Sequence, residues 1–334
     1  MQKRPLGKNG PNVSAIGIGA MSFSNFFGPV EPEVGFEILK TSLDLGIDHL
    51  DTSNVYEMGQ SETTIGQFLK DNFAGAPCPF TIATKAGIKR DPDTGQRSFD
   101  NSAEHLNSEL DASLKRLGVE AVDLFYVHRR DQSIEIEDVT ETLVGMKNAG
   151  KIKSFGYSEI APSSLRRAAS VHDVAAVQSE YSLATRSVEL GLVQACEKLG
   201  TALVAFSPVS RALLTDTLIS KEKIASTPFL QTAPRFQEPC LSINLNAVKK
   251  LQALAGDMGT HTAALAIAWL LHQSPNVIPI PGTRSVQHLK ELATGASLAL
   301  TADDIAAIDA IMPLGWAAGD RYTETQWNGP ERYC

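Results

Sequence analysis

The chain has 334 residues, a formal net charge of −8, and 43% hydrophobic against 20% charged residues. That balance points to a soluble globular protein, and its acidity argues against a nucleic-acid partner, which requires a basic face for phosphates. The longest uncharged apolar run, Ala263 to Leu271, is far short of a bilayer span, and the opening MQKRPLGKNG carries no apolar signal core, so a cytoplasmic protein is expected.

Short apolar runs alternate with amphipathic stretches along almost the whole sequence. In chain order, VSAIGIG precedes EVGFEILKTSLDLG, GIDHLDT precedes SETTIGQFLKDN, and FTIATK precedes SAEHLNSELDASLKRLG. VDLFYVH then leads into IEDVTETLVGMKNAG, IKSFGYS into PSSLRRAASV, and VAAVQSE into VELGLVQACEKLG. ALVAFSP opens a longer connection, and NVIPIPG leads into SVQHLKELATG. Leu106, Leu110, Leu114 and Leu117 recur at helical spacing, and Gly118, Gly150 and Gly200 stand where helix C-caps are expected. Eight βα units without a composition break predict one domain over residues 1–334, an α/β fold whose parallel strands close into a (β/α)8 TIM barrel. An open doubly wound sheet is the alternative. Its glycine fingerprint is incomplete in GIGAMS (Gly17 to Ser22), whose glycines read as close-packing positions at a strand end.

Three additions decorate the barrel. A Lys-Asn-Gly turn near the N-terminus predicts a β-hairpin plugging the barrel floor. The segment Arg211 to Leu241, with Pro228, Pro234 and Pro239, lacks clear periodicity and is long enough to be a lid or ligand clamp. TADDIAAIDAIM predicts one extra C-terminal helix capped by Thr301, followed by a polar, aromatic tail over the barrel mouth or surface. Cys78, Cys196, Cys240 and Cys334 are scattered, with no C-x-x-C and no histidine at metal-ligand spacing, so reduced thiols and no metal are expected.

In barrels of this type chemistry sits at the C-terminal strand ends. The second unit ends in Asp51 with Tyr56 in its loop, the third in Lys85, and the fourth in His128. Singly, these residues read as a turn aspartate, a surface tyrosine, a snorkelling lysine and a packed histidine. On adjacent strand ends they form a cluster. A free phenol has a pKa near ~10, and a neighbouring ammonium held by a carboxylate pulls it down. His128 either orients a carbonyl oxygen or shares its proton with Tyr56. The combination suits protonation of an alkoxide formed by hydride attack.

The stretch DTSNVYEMGQSETTIGQFL, with ATKAG and FYVHRRD, resembles the signature motifs of the aldo-keto reductases, NADPH-dependent (β/α)8 barrels, from RPLGKNG to about Glu291. The resemblance implies Asp51, Tyr56, Lys85 and His128 as a catalytic tetrad with Tyr56 as the acid. Histidine at 128, where some members carry glutamate and reduce C=C bonds, implies carbonyl reduction of a small molecule. On the cofactor side it implies that Ser158, Glu159 and Gln178 hold the nicotinamide carboxamide, with Ala20, Met21 and Asp51 nearby. Phe206 then stacks on the ring in place of the more usual tyrosine or tryptophan, and Ser207, Pro208, Val209, Ser210, Arg211 and Leu213 follow the pyrophosphate. Arg235, in the long Arg211 to Leu241 connection, is expected to close over the pyrophosphate. Gly282, Thr283, Arg284 and His288 fall where the 2′-phosphate and adenine are gripped, and Glu291 at the adenine amino group; Leu292 replaces the usual asparagine.

Two rival readings remain, and a third is excluded. A non-turning NADPH sensor like the potassium-channel β-subunits has the same fold. An isomerase or aldolase would use Lys85 as base or Schiff-base nucleophile. A short-chain dehydrogenase needs Tyr-x-x-x-Lys, which is absent. Phe23, Phe26 and Phe27 either wall an apolar pocket or pack under their loop, and the chain is a monomer or a homo-oligomer.

Overall fold

The computed structural model describes residues 1–91 and 96–332, so Cys334 lies outside the described residues. It begins with the expected hairpin, β1 (Lys3–Pro5) antiparallel to β2 (Asn12–Ser14) with Arg4 opposite Val13. Leu6 and Val13 are fully buried against inward-facing Ala83, Leu124, Tyr126, Val204 and Ile278, so the hairpin seals the barrel floor. Arg4 clamps it by donating to the carbonyls of Leu271, Ser274 and Val277 at 2.6, 2.6 and 2.7 Å. At Gly7 (φ +86°) a Cβ would meet the Ala175 carbonyl oxygen at 2.6 Å, a turn and a close approach that together require glycine.

The parallel sheet runs β3 (Ile18–Gly19), β4 (His49–Asp51), β5 (Thr81–Ala86), β8 (Val122–Val127), β9 (Ile152–Ser158), β10 (Ala176–Glu180), β11 (Ala202–Phe206) and β12 (Val277–Pro279). Between β5 and β8 the chain adds a hairpin of β6 (Ile88–Arg90) and β7 (Arg97–Phe99), which the periodicity does not announce. The first and last barrel strands meet through Gly17 N–H to Pro279 O (2.8 Å) and Gly19 N–H to Pro281 O (3.0 Å), closing the barrel. A Cβ on Gly19 would lie 2.7 Å from Ile280 O. The G-x-G pair is therefore a seam glycine pair, and the open-sheet alternative falls.

Each strand returns through a helix with a sequence-encoded start and stop. The run α1 (Pro32–Asp44), α2 (Gln60–Phe73), α3 (Ala103–Leu117), α4 (Ile136–Asn148), α5 (Pro162–Val171) and α6 (Leu192–Leu199) matches the amphipathic stretches. In α3, Ser102 caps the His105 N–H, Gly118 ends the helix at φ +68°, and Leu106, Leu110 and Leu117 are buried while Leu114 is half-buried. The long connection contains two one-turn helices, α7 (Lys221–Ala225) and α8 (Pro228–Thr232), before α9 (Cys240–Asp257) and α10 (Thr262–Gln273). The apolar run of α10 is buried on every side, hence its lack of polar face. No helix among the described residues is long and apolar enough to cross a membrane. After α11 (Val286–Thr294), α12 (Ala302–Ile311) starts with a capping box between Thr301 and Asp304. Cys78, Cys196 and Cys240 are free thiols, Cys196 being pushed up to about 12 by burial.

Candidate functional site: four polar side chains at one end of the barrel

The chain leaving β4 does not turn at once. Thr52 N–H and Asn54 N–H still donate to Ala83 O and Lys85 O at 2.9 and 3.2 Å, so it rides along β5 past Asp51. Glu57, Met58 and Gly59 then take left-handed conformations (φ +49°, +51° and +90°) and turn it into α2. Tyr56, just before this turn, brings its hydroxyl to 3.3 Å from Lys85 Nζ. Non-glycine residues held at positive φ carry a cost, paid here beside polar side chains.

Lys85 is fully buried and uses all its donors. It pairs with Asp51 Oδ1, donates to Thr52 O at 2.6 Å, and reaches the Tyr56 hydroxyl at 3.3 Å. The second Asp51 oxygen accepts from Gln178 Nε2 at 2.7 Å. His128 begins just past β8, its Nδ1 is 3.1 Å from Ser53 Oγ, and its ring meets Tyr56 edge-on at 6.0 Å.

Burial would lower the Lys85 pKa, but Asp51 and Tyr56 outweigh it and the ammonium is stabilised. Burial raises the Tyr56 pKa, and Lys85 recovers only part of that rise. This reverses the expectation of a depressed phenol: removal from water outweighs one ammonium that is itself neutralised by Asp51. Burial also drives His128 well below the ordinary imidazole range, helped by Arg129, Lys85 and Arg97. At neutral pH the site therefore presents a protonated phenol and a neutral imidazole.

These groups open into a cleft of about 1470 Å³ at the C-terminal strand ends. Asp51, Tyr56, His128, Ser158, Gln178, Phe206 and Met21 line its floor, and Ser207, Pro208, Val209, Arg211, Gly282, Thr283, Arg284, His288 and Glu291 line one flank. Leu292 is also there, buried. The long connection lies over the cleft through Ile219, Lys223, Phe229 and Leu230, with Phe229 6.0 Å from Phe26 of the loop after β3. Phe26 and Phe27 line the cleft while Phe23 packs beneath it, so the three aromatics divide between the two roles.

A model of the Aldo/keto reductase family matches residues 15–313. The chain belongs to the aldo/keto reductase family. It is 36% identical over 282 residues (84% of this chain, 82% of the relative) to the aldo-keto reductase yakc [NADP(+)] of Schizosaccharomyces pombe. It is 34% identical to the probable aldo-keto reductase 1 of Glycine max, covering 100% of this chain and 94% of that one. Among solved structures, the glycerol dehydrogenase of Gluconobacter oxydans superposes with a TM-score of 0.81 at 26% identity, covering 96% and 97% of the two chains. A thermostable aldo-keto reductase crystallised with the inhibitor epalrestat gives 0.71 at 25%, covering 93% and 100%.

Not every residue expected to hold a cofactor in this aldo/keto reductase faces the cleft. Ala20 is buried, its carbonyl accepting from Ser61 Oγ at 2.8 Å. Ser210 and Leu213 are fully buried. Glu159 is turned away and held by Arg321 through two oxygens, one at 3.0 Å. Arg235, within the long connection, is buried, donates to Thr185 Oγ1 at 2.9 Å and does not line the cleft. Arg211 lines the cleft but its guanidinium is paired with Glu180 at 2.6 and 3.0 Å. Arg284 donates to Gly28 O at 2.9 Å, Pro29 O at 3.1 Å and Phe27 O, tying α11's approach to the loop after β3.

The remaining cleft residues suit a nicotinamide dinucleotide. Gln178, its amide nitrogen already given to Asp51, has its carbonyl oxygen left to accept an amide N–H. Phe206 offers a ring face, and Gly282, where a Cβ would meet Gly19 O at 2.7 Å, keeps the floor under the Arg284 loop free of side chain. Sequence reasoning passed over Arg129, Arg97, Arg321 and Tyr322. Arg129 stands next to His128 in FYVHRRD, a signal that was available; Arg321 and Tyr322 lie in the tail, with no spacing to tie them to β9.

Proposed function

We propose that this protein reduces an aldehyde or ketone of a small molecule to the alcohol, using NADPH, with Tyr56 as general acid. The observation that carries the reading is Tyr56 at 3.3 Å from a buried, triply engaged Lys85 on the floor of a dinucleotide-sized cleft. Ser158 and Gln178 would hold the carboxamide, Phe206 the nicotinamide face, and Ser207, Pro208, Val209 and Arg211 with Gly282, Thr283, Arg284, His288 and Glu291 the remainder. When bound, the nicotinamide supplies the hydride that reaches the carbonyl carbon.

The neutral His128 ring donates a hydrogen bond to the carbonyl oxygen and orients it toward Tyr56. Tyr56 then gives its proton to that oxygen as negative charge develops on it. A phenol with a raised pKa is still far more acidic than an alcohol, so the transfer runs downhill, and Lys85 stabilises the phenolate left behind. Asp51 keeps Lys85 charged and, through Gln178, ties the proton donor to the cofactor side. The described residues act as one catalytic domain in the cytoplasm. The similarity to a relative named for NADP(+) supports the cofactor choice.

An NADPH-oxidation assay over aldehydes, ketones, sugars and quinones tests the reading. Turnover of a carbonyl with loss of NADPH absorbance supports it, and tight NADPH binding without any turnover would favour the sensor reading.

A further inference from the structure

The cleft has a positively charged wall opposite the flank described above. Arg129 follows His128 and is 8% exposed. It donates through one terminal nitrogen to His128 O (2.6 Å) and Ser158 Oγ (2.9 Å), while its Nε is buried without a partner among the described residues. Arg97, exposed on β7, has its guanidinium carbon 5.4 Å from the Phe99 ring centre and donates to Asn328 O at 3.1 Å. Both line the cleft, and among the described residues neither has a carboxylate within 4.0 Å. For Arg129, a guanidinium kept out of water with no countercharge is costly unless something supplies one.

Their place in the barrel says what that something is. β8, which delivers Arg129, is the fourth barrel strand, and β12, which delivers Arg284, is the eighth. The hairpin carrying Arg97 follows the third strand, and the Ser207–Arg211 loop follows the seventh. In a closed eight-stranded barrel these pairs lie across the mouth from each other. Arg97 and Arg129, whose charges are both felt by His128, therefore stand on the side of the mouth away from where a dinucleotide's phosphates would lie. The two cations also feel one another: after burial, Arg129 is the next cause lowering the Arg97 pKa. The carboxylates that line the same cleft are otherwise engaged or exposed. Glu109 accepts from Asn54 at 2.7 Å, Asp216 from Thr262 N–H at 2.7 Å, and Glu291 from Gln287 at 2.9 Å, while Glu57 stands in solvent.

We propose that the substrate is a carbonyl compound bearing a carboxylate, which Arg129 anchors at depth and Arg97 captures at the rim while the carbonyl sits between Tyr56 and His128. The proposal rests on the reductase reading and adds the substrate's charge to it. A charge-assisted pair of this kind is worth roughly ten- to a hundred-fold in binding. Arg97, being exposed, contributes a part that salt screens, and Arg129 a part that salt leaves largely intact.

The test compares 2-, 3- and 4-carboxybenzaldehyde with their matched carbamoyl benzaldehydes, with NADPH as reductant, for the wild-type chain, Arg97→Gln and Arg129→Gln. At least one acid is expected to exceed its amide by about ten-fold or more in kcat/KM, mainly through KM, with the advantage shrinking in high salt. Arg97→Gln should reduce the acid-to-amide ratio, and Arg129→Gln should bring the ratio to about one. Because the ratio is taken within one enzyme, any effect of Arg129→Gln on folding or on Ser158 cancels. No preference for any acid in the wild-type chain, or equal losses for acid and amide in both variants, would overturn the proposal. Turnover of the amides leaves the reductase reading standing in that event, and no turnover of any aldehyde would be a failure of that reading instead.

Discussion

Lys85 Nζ lies 3.3 Å from the Tyr56 hydroxyl while its other donors are fixed by Asp51 and by Thr52 O at 2.6 Å. Of the groups that influence Tyr56, Lys85 is the largest that lowers its pKa against burial. Lys85→Met should therefore raise that pKa further and lower kcat by roughly 10²–10⁴-fold. Reduction requires the protonated phenol, so activity falls at high pH, and the alkaline limb of the rate profile should move upward in the variant. An unchanged limb with full activity would remove Lys85 from the proton-transfer step. Asp51→Asn should be milder, since Lys85 keeps its contacts with Thr52 and Tyr56.

Arg284 poses a question of cofactor choice. Its guanidinium is held by the backbone carbonyls of Phe27, Gly28 and Pro29, acceptors that a phosphate dianion outcompetes. Arg284→Ala should weaken NADPH binding by roughly ten- to a hundred-fold and NADH binding much less. Tryptophan-fluorescence titration of both cofactors against both proteins measures this. Equal losses for the two would show that Arg284 does not read the 2′-phosphate.

The barrel was legible because the βα units carry local signals: an apolar strand and an amphipathic helix in most, with a Ser102 cap or a glycine stop such as Gly118 or Gly200 in some. Asp51, Lys85 and His128 were legible for the same reason, each closing an apolar run. What stayed hidden were long-range pairings. Nothing local in GYSEI says that Glu159 turns from the cleft to meet Arg321, 162 residues later. Likewise Arg211 and Arg235 looked like free phosphate ligands until the structure placed Glu180 against one and Thr185 against the other. The Tyr56 pKa was misjudged because the sequence shows a neighbour's charge and conceals how much water is lost.

The buried carboxylates should shape acid stability. Burial alone would raise the Glu180 pKa, but Arg211 and Arg321 bring it from 4.5 to about 2. A group with a depressed folded pKa contributes fully above its unfolded value and loses that contribution as the pH falls, so the stabilisation should fade between about pH 4.5 and 2. Glu180→Gln leaves Arg211 buried without its countercharge and should cost about 3 kcal/mol near neutral pH. It should also flatten the acid dependence in that window. Urea denaturation of both proteins across this range checks the sign. A variant as stable as the parent, with the same acid profile, would show that the ion pair contributes nothing net.

The central claim is that Tyr56 delivers the proton in an NADPH-dependent carbonyl reduction, and Tyr56→Phe tests it most directly. The ring and the left-handed turn behind it are kept, and only the hydroxyl that faces Lys85 is lost. Steady-state NADPH oxidation with a substrate that the wild-type chain turns over should fall by roughly 10²–10⁴-fold in kcat, while NADPH affinity, measured by fluorescence on the same preparation, stays within a few-fold. Wild-type-like turnover by Tyr56→Phe would contradict the account.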